Sequence, residues 1–276
     1  MKKVLLGLGA AGITLAMIPL FAAFEAHVVN VTARIENALS VPVTPINFGT
    51  VFPQEQLDQF LPVSLSQSFI DELNADDVDY IIRQKPKCGV TTNGGTVLVG
   101  PTGTGHVIPT LDNPATPGVD ESNGGTAYTI DCGREPRQLG ADESWGLLPM
   151  LCPYLSKHEI TPDLDLDLQG LPTQPDNDGG LAAFHQPFTV ASSTVTWNDV
   201  KGRLAKSEQD DADRWKIDLK VPCFGGHCAQ DWEDFVHGIN EGANPADYVQ
   251  PLSNEHMVFG CNLWVEVTGV SRIIVD

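Results

Sequence analysis

The sequence predicts a mainly β protein, an antiparallel jelly-roll-like β-sandwich with long loops and one or two short helices, stapled by disulfides. Three observations carry this. Short runs of alternating apolar and polar residues recur along the chain, separated by Pro, Gly and Asp. One segment alone has a clear helical period, which disfavours the regular strand-helix alternation of parallel sheets. Six cysteines, at positions 88, 132, 152, 223, 228 and 261, all follow an apolar leader, and an even number of cysteines in an exported chain reads as disulfides.

The leader begins with Lys2 and Lys3, continues uncharged through residues 4–24, and ends in small residues at Ala22, Ala23 and Ala26. Residues 1–26 are therefore expected to be a secretory signal peptide, cut between Ala23 and Ala26. The apolar run is also long enough to span a bilayer, so an uncleaved anchor is the competing reading. Residues 27–276, about 250 in number, suit a single β-sandwich domain that meets the membrane only through its signal peptide. A net charge of −20 repels phosphate backbones, which excludes nucleic acid as a natural partner.

The first strand signal follows the leader directly. In residues 27–36, Val29, Val31, Ala33 and Ile35 form one apolar face against Val28, Asn30, Thr32, Arg34 and Glu36. Residues 46–53 aim Ile46, Phe48 and Val51 at a core before Pro53 ends the run. Residues 63–69 alternate with Val63, Leu65, Gln67 and Phe69 on one side, and residues 78–85 with Val78, Tyr80 and Ile82. Residues 89–125, rich in Gly, Thr, Pro and Asn, are expected to be a long surface loop flanked by Cys88 and Cys132.

Core-like sequence resumes over residues 145–155. Strict alternation over residues 163–168 turns leucines inward and Asp163, Asp165 and Asp167 outward. Further strands are expected at 188–197, 200–207 and 215–221, with the acidic segment 208–213 at the tip of a hairpin joining the last two. Trp232, Phe235, Val236 and Ile239 recur at helical spacing behind acidic residues that favour a helix N-terminus, and Gly238 and Gly242 bracket its end. The last strand, 262–270, sets Leu263, Val265 and Val267 against Trp264, Glu266 and Thr268.

Candidate chemistry is sparse. His158-Glu159 invites a zinc-peptidase reading, but Pro162 occupies the position where a second histidine would stand, and a polar strand end is the alternative. Cys223, His227 and Cys228 offer three zinc ligands; an oxidising compartment favours a Cys223–Cys228 disulfide instead, closed across Gly225 and Gly226. The pairing of Cys88, Cys132, Cys152 and Cys261 stays open. Asp163, Asp165 and Asp167 with Asp176 and Asp178 form an oxygen-rich set that suits calcium. That set lacks the turn glycine and distal glutamate of a helix-loop-helix calcium site, and a solvated acidic face is the alternative. No nucleophile elbow, phosphate loop or dinucleotide fingerprint occurs, so no catalytic or cofactor-binding residue is assigned.

The layout resembles the TasA and camelysin family of exported β-sandwich proteins. The likeness rests on the leader running into a first strand, on Ile46-Asn47-Phe48-Gly49-Thr50-Val51-Phe52-Pro53 followed by the strand at 63–69, on the segment Gly202-Arg203-Leu204-Ala205-Lys206-Ser207, and on Trp215-Lys216-Ile217-Asp218-Leu219-Lys220-Val221-Pro222. The resemblance implies a jelly-roll subunit of extracellular fibres or biofilm matrix, with the strand carrying Val29, Val31, Ala33 and Ile35 completing the sheet of the next copy. Family members also carry a metallopeptidase label, which no metal-protease motif here supports. A monomeric or surface-layer-like adhesion and cation-binding module is the alternative, and a secreted metal-dependent peptidase a third reading.

Overall fold

Alternation is the property that builds this molecule, because a strand with one apolar face must lay that face against another sheet. In the structure, a computed structural model that describes residues 35–110, 127–159, 180–191 and 194–272, two antiparallel sheets do this. The first has the order β1 (Leu39–Ser40), β2 (Gln56–Leu65), β12 (Ala212–Lys220), β8 (Leu155–Glu159). The second is centred on the 18-residue β3 (Ala75–Thr92). One half of β3 lies between β11 (Val200–Ala205) and β13 (Cys261–Arg272); the other half pairs with β4 (Val97–Thr104) and β7 (Glu143–Leu147). Two small hairpins, β5 (His106–Thr110) with β6 (Ala127–Asp131) and β9 (Phe188–Ala191) with β10 (Thr194–Trp197), complete the strands among the described residues. The fold is a disulfide-bonded β-sandwich.

The core lies between the sheets. Leu61, Val63 and Leu65 of β2 and Trp215, Ile217 and Leu219 of β12 meet Val78, Tyr80 and Ile82 of β3 and Val200 and Leu204 of β11. A buried polar chain crosses this layer: the Trp215 indole donates to the Tyr80 hydroxyl at 2.7 Å, and that hydroxyl donates to the Asp213 carboxylate. The Tyr80 ring lies directly over Gly202, its partner across the ladder, where a Cβ would fall 2.2 Å from the ring carbon Cζ. Only glycine fits there.

The helix α2 (Trp232–Ile239) has the predicted period and buries Trp232 and Val236 against the sandwich. Phe184 stands at 5.6 Å from the Trp232 ring and 6.1 Å from Tyr154, tying the helix to the sheets through edge-on aromatic contacts.

Several expectations are corrected. Residues 46–53 form no strand, although Ile46, Phe48 and Val51 do pack on the core as expected. The strand expected at 63–69 ends at Leu65. Ser66 then caps a single helical turn, α1 (Gln67–Ile70), its hydroxyl accepting from the Phe69 amide at 3.1 Å, so Gln67 turns to solvent while Phe69 stays buried. The expected long loop at 89–125 is largely strand in its described part, because β3 runs through Thr92 and β4 and β5 follow. Residues 188–197 make a hairpin, not one strand. Residues 208–213 do not join paired strands: β11 belongs to the second sheet and β12 to the first, so the segment crosses between layers. Alternation identifies strands but carries no record of which sheet each enters.

Candidate functional site

Two surfaces and one buried cluster hold the groups with chemistry to offer. The first surface is the free side of β13. This 12-residue strand pairs with β3 alone among the described residues. Residues opposite one another in an antiparallel ladder share a face, so Val265, Val267 and Val270, opposite Ile82, Tyr80 and Val78, belong to the inner face. Val265 packs on the core. Val267 and Val270 are 40% and 48% exposed, against the expectation that Val267 would be covered. The reason is positional: no described strand flanks β13 on that side, and the ladder bulges between Val267 and Gly269. Among the described residues, the result is an apolar inner face with an open margin along which β13 has no ladder partner.

The second surface is the outer face of the same sheet. β3 presents Arg83, Lys85 and Lys87 there, with Trp264 opposite Arg83 and Asn262 opposite Lys85. Arg83 meets Asp199 at 3.1 Å and Glu266 at 3.5 Å. The Lys85 ammonium lies 3.6 Å from the centre of the Trp264 ring and 5.8 Å from that of Trp197, a cation between two indoles. Burial pushes the Lys85 amine below its ordinary value, aided by the charge of Arg83 and opposed by Glu266 and Asp199. Burial alone does the same to Lys87.

Inside the sandwich, Gln84, Lys157 and His185 form a buried polar cluster. Gln84 donates to the Leu155 carbonyl at 3.2 Å, and Lys157 has the Ile82 carbonyl at 3.5 Å. Burial pushes the Lys157 amine down to about 8, with Asp199 opposing. His185 is pushed down to about 4 by burial and by the charge of Lys157. Its two ring nitrogens face acceptors, the Ala182 carbonyl at 2.8 Å and the Gln84 side-chain oxygen at 2.7 Å, and a neutral ring can donate to only one of them.

The residues singled out from sequence fall as follows. Val29, Val31 and Ala33 lie outside the described residues; Ile35 lies within them, 91% exposed and in no strand. Asp163, Asp165, Asp167, Asp176 and Asp178 also lie outside. The cysteines are joined as Cys88–Cys132, Cys152–Cys261 and Cys223–Cys228, so Cys223 and Cys228 are disulfide sulfurs here and not zinc ligands. His158, near the end of β8, sits 3.0 Å from Asp218 and 3.1 Å from Ser156. Among the described residues no group of three or more His, Cys, Asp or Glu is placed to hold a metal ion. Sequence reading missed the Trp197–Lys85–Trp264 stack, whose one legible trace is the alternation of Arg83, Lys85 and Lys87. It missed Lys157 and His185 entirely, since nothing local marks a cation as buried.

Three disulfides fit a protein folded in an oxidising compartment, and no helix among the described residues is long and apolar enough to cross a membrane. Searches against protein-family models, curated proteins and solved structures find no match to this chain.

Proposed function

We propose that the protein is a secreted structural subunit of extracellular fibres of the kind found in a biofilm matrix, assembling with copies of itself through residues 27–36. In this reading the segment of one copy lies beside β13 of the next and adds a strand to its second sheet. The observation that supports it is the exposure of Val267 and Val270, two inner-face residues left uncovered on a strand with a free side. An added strand would pair with that side and cover the valines together. By sequence, Val29, Val31, Ala33 and Ile35 supply an apolar face with the required period. The disulfides agree with life outside the cytoplasm.

Electron microscopy of the purified mature protein tests this. Fibres are expected from the intact chain, none from a variant lacking residues 27–35, and few from Val267→Lys combined with Val270→Lys, which places charge on the accepting margin. Monodisperse particles from the intact chain under all conditions overturn the proposal. A synthetic peptide of residues 27–36 should bind the truncated protein and raise its melting temperature.

A further inference from the structure

In a chain of net charge −20, the outer face of the second sheet holds a strip of cations that carboxylates neutralise only in part. Arg83 is paired with Asp199 and Glu266. Lys85 and Lys87 are half-buried, and neither forms an ion pair among the described residues. Lys85 has indole rings for neighbours instead. Burial holds both amines below their ordinary values, and at Lys85 it outweighs the opposing charges of Glu266 and Asp199.

Aromatic rings with accessible surface flank this strip. Trp264 is 42% exposed and Tyr128 46%. Tyr128 packs edge-on against Phe188 at 5.0 Å, and Phe188 against Trp197 at 5.2 Å, so the rings form a row that runs up to Lys85. Such a row favours a ligand with flat apolar faces, and the two amines favour anionic groups on its rim. Asp199 and Glu266, paired with Arg83 and acting on Lys85, would repel a chain bearing a phosphate at every unit but can accept hydrogen bonds from hydroxyl groups. A pyranose carrying a carboxylate or a sulfate has all three properties.

We infer that this face binds an acidic glycan, with sugar rings against Trp264 and Tyr128 and anionic substituents at Lys85 and Lys87. The inference needs no fibre, so it stands or falls apart from self-assembly. Affinity electrophoresis of the full mature protein tests it, using gels containing polygalacturonate, sulfated dextran, unsulfated dextran, polyglutamate or single-stranded oligothymidylate. Retardation by one or both acidic glycans is expected, and which of them acts tells carboxylate from sulfate recognition. The dissociation constant should rise about tenfold or more in Lys85→Gln with Lys87→Gln, and comparably in Trp264→Leu, which keeps both charges. Thermal unfolding near the wild-type temperature confirms that each variant is folded. Absence of retardation by both acidic glycans overturns the inference. So does retardation that the variants leave unchanged, retardation lost with the lysines but kept in Trp264→Leu, or equal or stronger retardation by unsulfated dextran, polyglutamate or the oligonucleotide.

Discussion

Strand β3 faces two environments. Toward the first sheet it sends Val78, Tyr80, Ile82 and Gln84, where Tyr80 is hydrogen-bonded to Trp215 and Asp213 and Gln84 donates to a backbone carbonyl. Toward the outside it sends Arg83, Lys85 and Lys87, of which, among the described residues, Arg83 alone is ion-paired. The two sets alternate along one stretch of chain. What separates them is the cost of an unmet polar group, roughly 1–3 kcal/mol in a dry interior and far less at a surface that water or a ligand can reach. Lys157 breaks that rule from within, a cation on the inner side that among the described residues has the Ile82 carbonyl at 3.5 Å and the charge of Asp199 to set against its burial.

The largest effect should come from the inner side. Trp215→Ala removes a fully buried indole together with its bond to Tyr80, and denaturant unfolding should report a loss of about 3–5 kcal/mol. A loss below about 1 kcal/mol would mean that the inner layer is far less tightly packed than its burial indicates. Next, Gly202→Ala drives a methyl group into the Tyr80 ring, and the melting curve should register about 1–3 kcal/mol of destabilisation.

Lys157→Met sharpens the contrast by making the inner side uniform. It should raise stability by about 1–3 kcal/mol at neutral pH, because a poorly partnered buried cation is replaced by an apolar chain of similar length. The wild-type pH profile carries the same signature. The folded-state value of about 8 lies below the ordinary 10.5, so the unfolded chain holds this proton more tightly. Stability therefore climbs as pH rises from 8 to 10.5, and Lys157→Met should flatten that limb. His185, at about 4 against an ordinary 6.5, contributes stability in full above pH 6.5 and loses it as pH falls toward 4; His185→Gln should flatten that acid limb.

The smallest effect belongs to the outer side. Lys85→Gln and Lys87→Gln should each shift stability by no more than about 0.5 kcal/mol. A loss above about 2 kcal/mol from either would show that these amines hold the sheet together, and the two faces would no longer differ in kind.

Much of the inner side is legible in the sequence. Val78, Tyr80 and Ile82 announce a buried face by their spacing, Trp232, Phe235, Val236 and Ile239 announce α2, and the glycines between Cys223 and Cys228 favour the short disulfide. The outer site is not legible there, because Trp197 and Trp264 stand far apart in the chain and meet Lys85 only after a hairpin folds over the sheet. The open margin is equally hidden. Val267 alternates as faithfully as Val265, and its exposure depends on which strand lies alongside.

Local patterning by itself determined that the chain would form amphipathic strands and one amphipathic helix, since period and polarity are written into neighbouring residues. Tertiary structure decided which sheet each strand joins, which cations lose water, and which strand keeps a free side among the described residues. Those outcomes depend on residues distant in sequence arriving together, and the free energy of burying a group is set by all of its neighbours at once.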